Sequence, residues 1–387
     1  MASPPGLKRQ YSSLEKQVNH LESCIKSFKE HGGCCPEISN SYISLLSGVG
    51  EIKQDLKTFR SEILILEKTG GCDDTSALQA AIACSTKLQN ACNILSFIHC
   101  HVGICKNDKL HRRAIHCIQR FQNECAYILD NMSCHKVNPT FVVPYGSVPH
   151  AFNFAQNVTV TAIPSIDLYS PLSWATMAHE LIHSALKRPN IENEFKCDFW
   201  ATAITGPAYP ISFVLSYSSI TGKTRLRNNR NTTHPNFEDR IKLCTTVLQE
   251  FLGYTTEFIQ EFLLDPCNDL YLFDSDKTID SLEYDPASSK GVAAILDGYG
   301  EMDSKKKINE WGFTWKDFKD RDKVSGIGSR LLKGKQITGK NPVELINGIA
   351  YETVRNENFD GQSKDFLATV MNSIENSRSL SETHPSC

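Results

Sequence analysis

The chain has 387 residues, of which 40% are hydrophobic and 22% charged, and a formal net charge of −3. This is an ordinary globular composition with room for two or three domains and a sizeable core. It gives no electrostatic ground for binding nucleic acid or an anionic membrane, and no apolar run reaches the roughly 18–20 residues that a membrane span needs.

There are fifteen cysteines, an odd number, and the opening Met1-Ala2-Ser3-Pro4-Pro5-Gly6 lacks the apolar core of a secretory signal. Together these predict reduced thiols and a cytoplasmic location. Cys34, Cys35, Cys100, Cys105 and Cys134 do not form paired C-x-x-C knuckles. Cys24, Cys84 and Cys117 fall on apolar helix faces and read as small core residues.

Residues 8–135 read as helices. Tyr11, Leu14, Val18, Leu21, Ile25 and Phe28 recur at spacings of three and four, the mark of an amphipathic helix, which His31-Gly32-Gly33 ends. Further helices are predicted over Ile38–Lys68, Thr75–His101 and Asp108–Met132. Four helices with short connections predict an antiparallel bundle over 1–135. Such a bundle can receive a protein partner or buttress the rest of the chain.

The composition shifts at Val137. Thr140–Gly146 and the β-branched run Asn157–Pro164 read as strands. The second is expected at a sheet edge, where an extended peptide can pair with its backbone.

The next stretch, Ser170 to His183, ends in His179-Glu180-Leu181-Ile182-His183. Ser170 is a good N-cap, Pro171 suits the first helical position, and Pro189 is a stop. On a helix the two histidines lie four residues apart on one face and can hold the same Zn²⁺. Glu180 then reaches a water at that ion and can take its proton as general base. By chance alone, H-E-x-x-H turns up in roughly a few per hundred chains of this kind, so the residues downstream of it carry weight.

Asn190–Thr202 also reads as a helix, with Glu194 and Asp198 four apart on one face. Glu194 is the candidate third ligand, and Asp198 the acceptor for the outer N–H of a ligating histidine. The roles of these two can be exchanged, and a plain solvated acidic face is the competing account. Lys223, Arg225, Arg227 and Arg230 mark an exposed loop over Thr221–Asn231. Then come Thr233-His234-Pro235 and Arg240-Ile241, where His234 and Arg240 are candidate donors to a developing oxyanion. Arg240 can instead hold the His234 loop or Glu194 by a forked contact.

Phe237 to Leu264 has a helical pattern, and Asp265-Pro266 is expected to end it. Trp311, Phe313, Trp315 and Phe318 look like an aromatic anchor, and Pro342–Asn356 and Ser363–Ser377 read as two closing helices.

Taken together, H-E-x-x-H, Glu194-Phe195-Lys196-Cys197-Asp198 and Thr233-His234-Pro235 with Arg240-Ile241 resemble the gluzincin zinc metallopeptidases. Among these they are most similar to the family of HtpX and the CAAX prenyl proteases, with Cys197 in place of the usual Ala. The resemblance covers about residues 140–245. It implies a zinc held by His179, His183 and Glu194, with Glu180 as base and His234 or Arg240 nearby. The spacer between His183 and Glu194 is shorter than in most such enzymes, and the membrane spans of that family have no counterpart here.

The expectation is therefore a mainly α fold with a small β-sheet. It comprises an N-terminal helical bundle (1–135), a zincin-like catalytic unit (136–264) and a helical C-terminal part (265–387). The expected activity is zinc-dependent hydrolysis of a peptide or protein substrate, without nucleic acid or membrane. Two rivals remain: a catalytically idle binding protein working through its bundle, and a zinc hydrolase of a non-peptide amide.

Overall fold

The structure is a computed structural model describing residues 4–31, 36–69, 75–88, 91, 109–133, 140–144, 149–155, 158–164, 167–186, 191–221, 235–269, 273, 277–300, 302–319, 324–356 and 363–377. These residues are mostly helical, with one small sheet. The chain divides into two compact units. One comprises Met1–Lys109, Asn138–Val143 and Phe152–Val160; the other comprises Leu110–Val137, Pro144–Ala151 and Thr161–Cys387.

In the first unit, α1 (Pro4–His31) packs against α2 (Pro36–Lys68). The reason is legible in their buried residues: Leu7, Leu14, Val18, Leu21 and Ile25 on α1, and Val49, Ile52, Leu56, Phe59, Ile63 and Leu66 on α2. Steps of three, four and seven keep each set on one stripe, so each helix has one face to bury. Each large aliphatic removed from water contributes about 1.5–3 kcal/mol. Ion pairs Lys8–Glu67 at 2.6 Å and Lys53–Glu22 at 2.7 Å show that the two helices run antiparallel. A third helix, α3 (75–88), carries Ala77, Ala81, Cys84 and Leu88 as its buried stripe, and Lys87 pairs with Asp55 of α2 at 2.7 Å. The continuation expected to His101 lies outside the described residues from 92 on. The fourth helix of the expected bundle, α4 (Lys109–Met132), falls in the second unit.

Strands β1 (Thr140–Pro144), β2 (His150–Ala155) and β3 (Val158–Ile163) form a sheet of order β1-β3-β2. β1 and β3 match the two expected strands, whereas β2 was not foreseen. The order corrects the expected edge position of the 157–164 run. β3 is paired on both sides, so its backbone groups are already used and cannot accept a further strand.

In the second unit, residues Pro171–Ala175 form one tight turn that leads into α5 (Thr176–His183). Ser170 does not cap this segment through its side chain; its hydroxyl instead accepts from Ser173 at 3.1 Å. α4 holds α5 through the fully buried Gln122. The Gln122 amide donates to the Met177 carbonyl at 3.3 Å and accepts from the Thr161 hydroxyl at 2.9 Å. The expected stop at Pro189 lies among residues 187–190, outside the described set.

Next come α6 (Ile191–Thr205) and α7 (Ala208–Thr221), joined at Gly206-Pro207. Gly206 has φ +56°, and a Cβ there would lie 2.8 Å from the Phe313 ring, so both conformation and space demand glycine. Buried Asn347 completes the joint, donating to the Thr205 carbonyl at 2.8 Å and accepting from the Ala208 N–H at 3.2 Å.

α8 (Phe237–Thr246) is capped by Asn236, whose side chain accepts from the Asp239 N–H at 2.7 Å. It runs on through a wide π-type turn, Val247–Phe251. After Gly253, at φ +73°, the chain restarts as α9 (Thr256–Ile259), capped by Thr255. Pro266 does not end this helix as expected. A second π-type turn, Gln260–Leu264, runs directly into α10 (Asp265–Asp269), so the chain stays helical through Pro266.

The remaining helices are α11 (Pro286–Gly300), α12 (Met302–Trp311), α13 (Trp315–Lys319), α14 (Ser325–Leu332), α15 (Pro342–Arg355) and α16 (Lys364–Glu375). The last two match the expected closing helices, and their caps Asn341 and Ser363 both accept a backbone N–H. Of the expected aromatic anchor, Trp315 and Phe318 stack at 5.8 Å and contact Phe258 and Tyr254, whereas Trp311 meets Tyr127 edge-on at 5.9 Å. Among the described residues, no helix is long and apolar enough to cross a membrane.

Candidate metal centre

α5 and α6 pack side by side, and α8 lies against α6, all within the second unit. His179 and His183 are one turn apart on α5, and their Nε2 atoms are 3.0 Å apart. Glu194, on the first turn of α6, places Oε2 3.4 Å from His179 Nε2 and Oε1 3.4 Å from His183 Nε2. Donor atoms bound tetrahedrally about 2.0–2.1 Å from one zinc are spaced by about 3.4 Å. Each histidine thus has a Glu194 oxygen at about that spacing, Oε2 for His179 and Oε1 for His183. His179 and Glu194 are buried, and the open side of the cluster is at His183.

The outer nitrogen of His179 is held by a buried polar group. Its Nδ1 lies 2.9 Å from Asp198 Oδ1, so an N–H there donates to the carboxylate and Nε2 is turned toward Glu194 and His183. Asp198 is fully buried and saturated. Arg240 of α8 donates from Nε to Oδ2 at 2.7 Å and from Nη2 to Oδ1 at 2.6 Å. Tyr209 of α7 donates its hydroxyl to Oδ1 at 2.5 Å. The Tyr209 ring also stacks on His179, with centroids 5.8 Å apart, and Arg240 lies 4.2 Å over the Phe213 ring.

Protonation follows from these contacts. Burial works against a charged His179, but hydrogen bonds to Asp198 and Glu194 outweigh it and push its pKa up to about 9. Burial and the neighbouring His179 push His183 down to about 4. Burial opposes the charge on Asp198 too, yet Arg240 and His179 hold its carboxyl well below the usual range. Glu194 is lowered as well, since its contacts with His179 outweigh its burial. Glu180 differs: burial raises its carboxyl and His179 only partly offsets this.

The expected residues thus divide. His179, His183 and Glu194 converge, Asp198 backs His179, and Glu180 is buried beside them on α5. Arg240 directs its fork at Asp198 rather than at Glu194. His234 and the basic loop 222–231 lie outside the described residues.

Three residues escaped the sequence reading. Tyr209 sits in a stretch that no spacing rule links to the motifs. His150 of β2 is a further imidazole near Glu180. Cys197 was the one with a signal: it stands three residues after Glu194, on the same helix face. Its Sγ is 3.4 Å from His183 Nδ1, and His179, His183 and Cys197 offer ligand atoms within 4.8 Å of one another. This second group could also hold a metal ion.

The described residues define a mainly helical protein with a small sheet and a largely buried group of His179, His183 and Cys197 that could hold a metal ion. No known family, curated protein or solved structure matches the chain.

Proposed function

We propose that this protein is a zinc-dependent hydrolase of peptide bonds with a zincin-like catalytic unit, acting on a peptide or protein substrate. The observation that carries the reading is the convergence of His179 Nε2, His183 Nε2 and the Glu194 carboxylate at separations of 3.0–3.4 Å. The motif resemblance to the gluzincins, carried by the same residues, points the same way. Zinc, when bound there, supplies a Lewis acid and makes an attacking water more acidic.

The chain's own residues do the rest. Glu180 takes a proton from the attacking water and returns it to the leaving amine. Its raised carboxyl pKa suits both directions of that transfer. Asp198, pinned by Arg240 and Tyr209, keeps the His179 proton on Nδ1 and the ring in place. Six cysteines among the described residues, Cys84, Cys117, Cys125, Cys197, Cys244 and Cys267, are buried and unpaired in disulfides, which supports a cytoplasmic setting.

The test is Glu180→Gln, read by metal content and by digestion of a peptide library. The amide cannot accept the proton, so zinc should stay while turnover falls by about 10²–10⁴-fold. Undiminished turnover in this variant would remove Glu180 from the mechanism. A variant that loses its metal would make Glu180 a ligand.

A further inference from the structure

We infer that Cys197 is a positioning residue for His183, its sulfur accepting the Nδ1 hydrogen and so leaving Nε2 bare toward the converging point. The inference rests on the zinc reading above and assigns a residue that reading does not use.

An imidazole has two nitrogens. When one faces a metal, the other carries a hydrogen and needs an acceptor. His179 has Asp198 in that place, at 2.9 Å. The corresponding atom for His183 Nδ1 is Cys197 Sγ, at 3.4 Å, within reach of a hydrogen bond to sulfur. Cys197 is fully buried on α6, so its sulfur has little freedom to turn elsewhere.

The arrangement has a simple origin in helix geometry. Glu194, Cys197 and Asp198 stand at i, i+3 and i+4, which places all three on one face of α6. That single face offers a carboxylate to the converging point, a carboxylate to the back of His179 and a thiol to the back of His183. α5 supplies two imidazoles, and α6 fixes the orientation of both.

Support and ligation differ in which nitrogen of His183 faces the ion. Nitrogen and sulfur donors around one zinc, at about 2.0–2.1 and 2.3 Å, lie roughly 3.6 Å apart. Cys197 lies within 4.8 Å of both histidines' ligand atoms, and Glu194 offers Oε2 to His179 and Oε1 to His183 at 3.4 Å each. A metal held between Cys197 Sγ and His183 Nδ1 would forgo His183 Nε2, which lies 3.0 Å from His179 Nε2.

The experiment measures Zn²⁺ affinity by chelator competition for the wild type, Cys197→Ala, Cys197→Ser and Glu194→Ala. It also records the absorption of the Co²⁺-loaded proteins. Cys197→Ala should bind zinc about 10–100-fold more weakly. Cys197→Ser, whose hydroxyl can also accept, should recover most of that. The wild-type Co²⁺ protein should lack the near-ultraviolet band of a cobalt–thiolate bond. Unchanged affinity in Cys197→Ala, with Glu194→Ala defective, would overturn the role of Cys197 and leave the zinc reading intact. A cobalt–thiolate band that disappears in Cys197→Ala would make it a ligand and overturn the positioning role. A wild type that binds neither ion would overturn both readings.

Discussion

The α1–α2 pair and the α5–α6–α8 centre are both helical, and they are held together in opposite ways. α1 and α2 close on continuous apolar stripes, with ion pairs such as Lys53–Glu22 only part-buried at their margins. In the centre, His179, Glu194, Asp198 and Tyr209 are buried together, and Arg240 reaches Asp198 at 2.6 Å. The stripe gains free energy from area and tolerates small changes. The polar centre is stable only while each charge keeps its partner, because a lone buried charge is expensive. A helix interface can thus be strong without specifying much, while one that fixes two imidazoles must accept interdependence.

Removing one charge of the buried group should give the largest effect on stability. Asp198→Ala leaves Arg240 without its partner and should cost about 3–5 kcal/mol in denaturant unfolding. A cost under about 1 kcal/mol would mean that the network is not interdependent, and the contrast would fail.

The same centre should also respond to pH. With its pKa pushed up to about 9, His179 holds a proton at pH 7, and an incoming metal must expel it. His183, pushed down to about 4, has none to give in that range. Zinc affinity should therefore rise about tenfold per pH unit from 7 to 9 and flatten above that. Calorimetry in buffers of different ionisation enthalpy should show about one proton released at pH 7 from this imidazole. An affinity independent of pH would break the assignment.

The stripe should be the quieter region. Ile52→Val should cost about 0.5–1.5 kcal/mol. Lys53→Ala should cost no more than about 1 kcal/mol, since Lys53 is 39% exposed and Glu22 26%. A Lys53 effect larger than that of Ile52 would reverse the account of what holds the α1–α2 pair.

These differences explain what the sequence disclosed. The α1 stripe was legible because periodicity is a one-dimensional property, as were β1 and β3 from their β-branched content. His179, His183, Glu194 and Asp198 were legible because each pair repeats at i, i+4 on its own helix. The partners were not. Tyr209 and Arg240 meet Asp198 only after α7 and α8 fold back on α6, a contact with no local spacing. The central position of β3 escaped for a similar reason, since strand order depends on β2, whose short run was not read as a strand. Pro266 misled because a π-type turn lets the chain stay helical where a proline normally stops it.

The central claim is that His179, His183 and Glu194 hold one zinc ion. Metal analysis of the purified wild type, His183→Ala and Glu194→Ala by plasma mass spectrometry tests it most directly. The account predicts about one zinc per chain in the wild type and strong loss in both variants. A wild type without zinc, or full occupancy in Glu194→Ala, would contradict it.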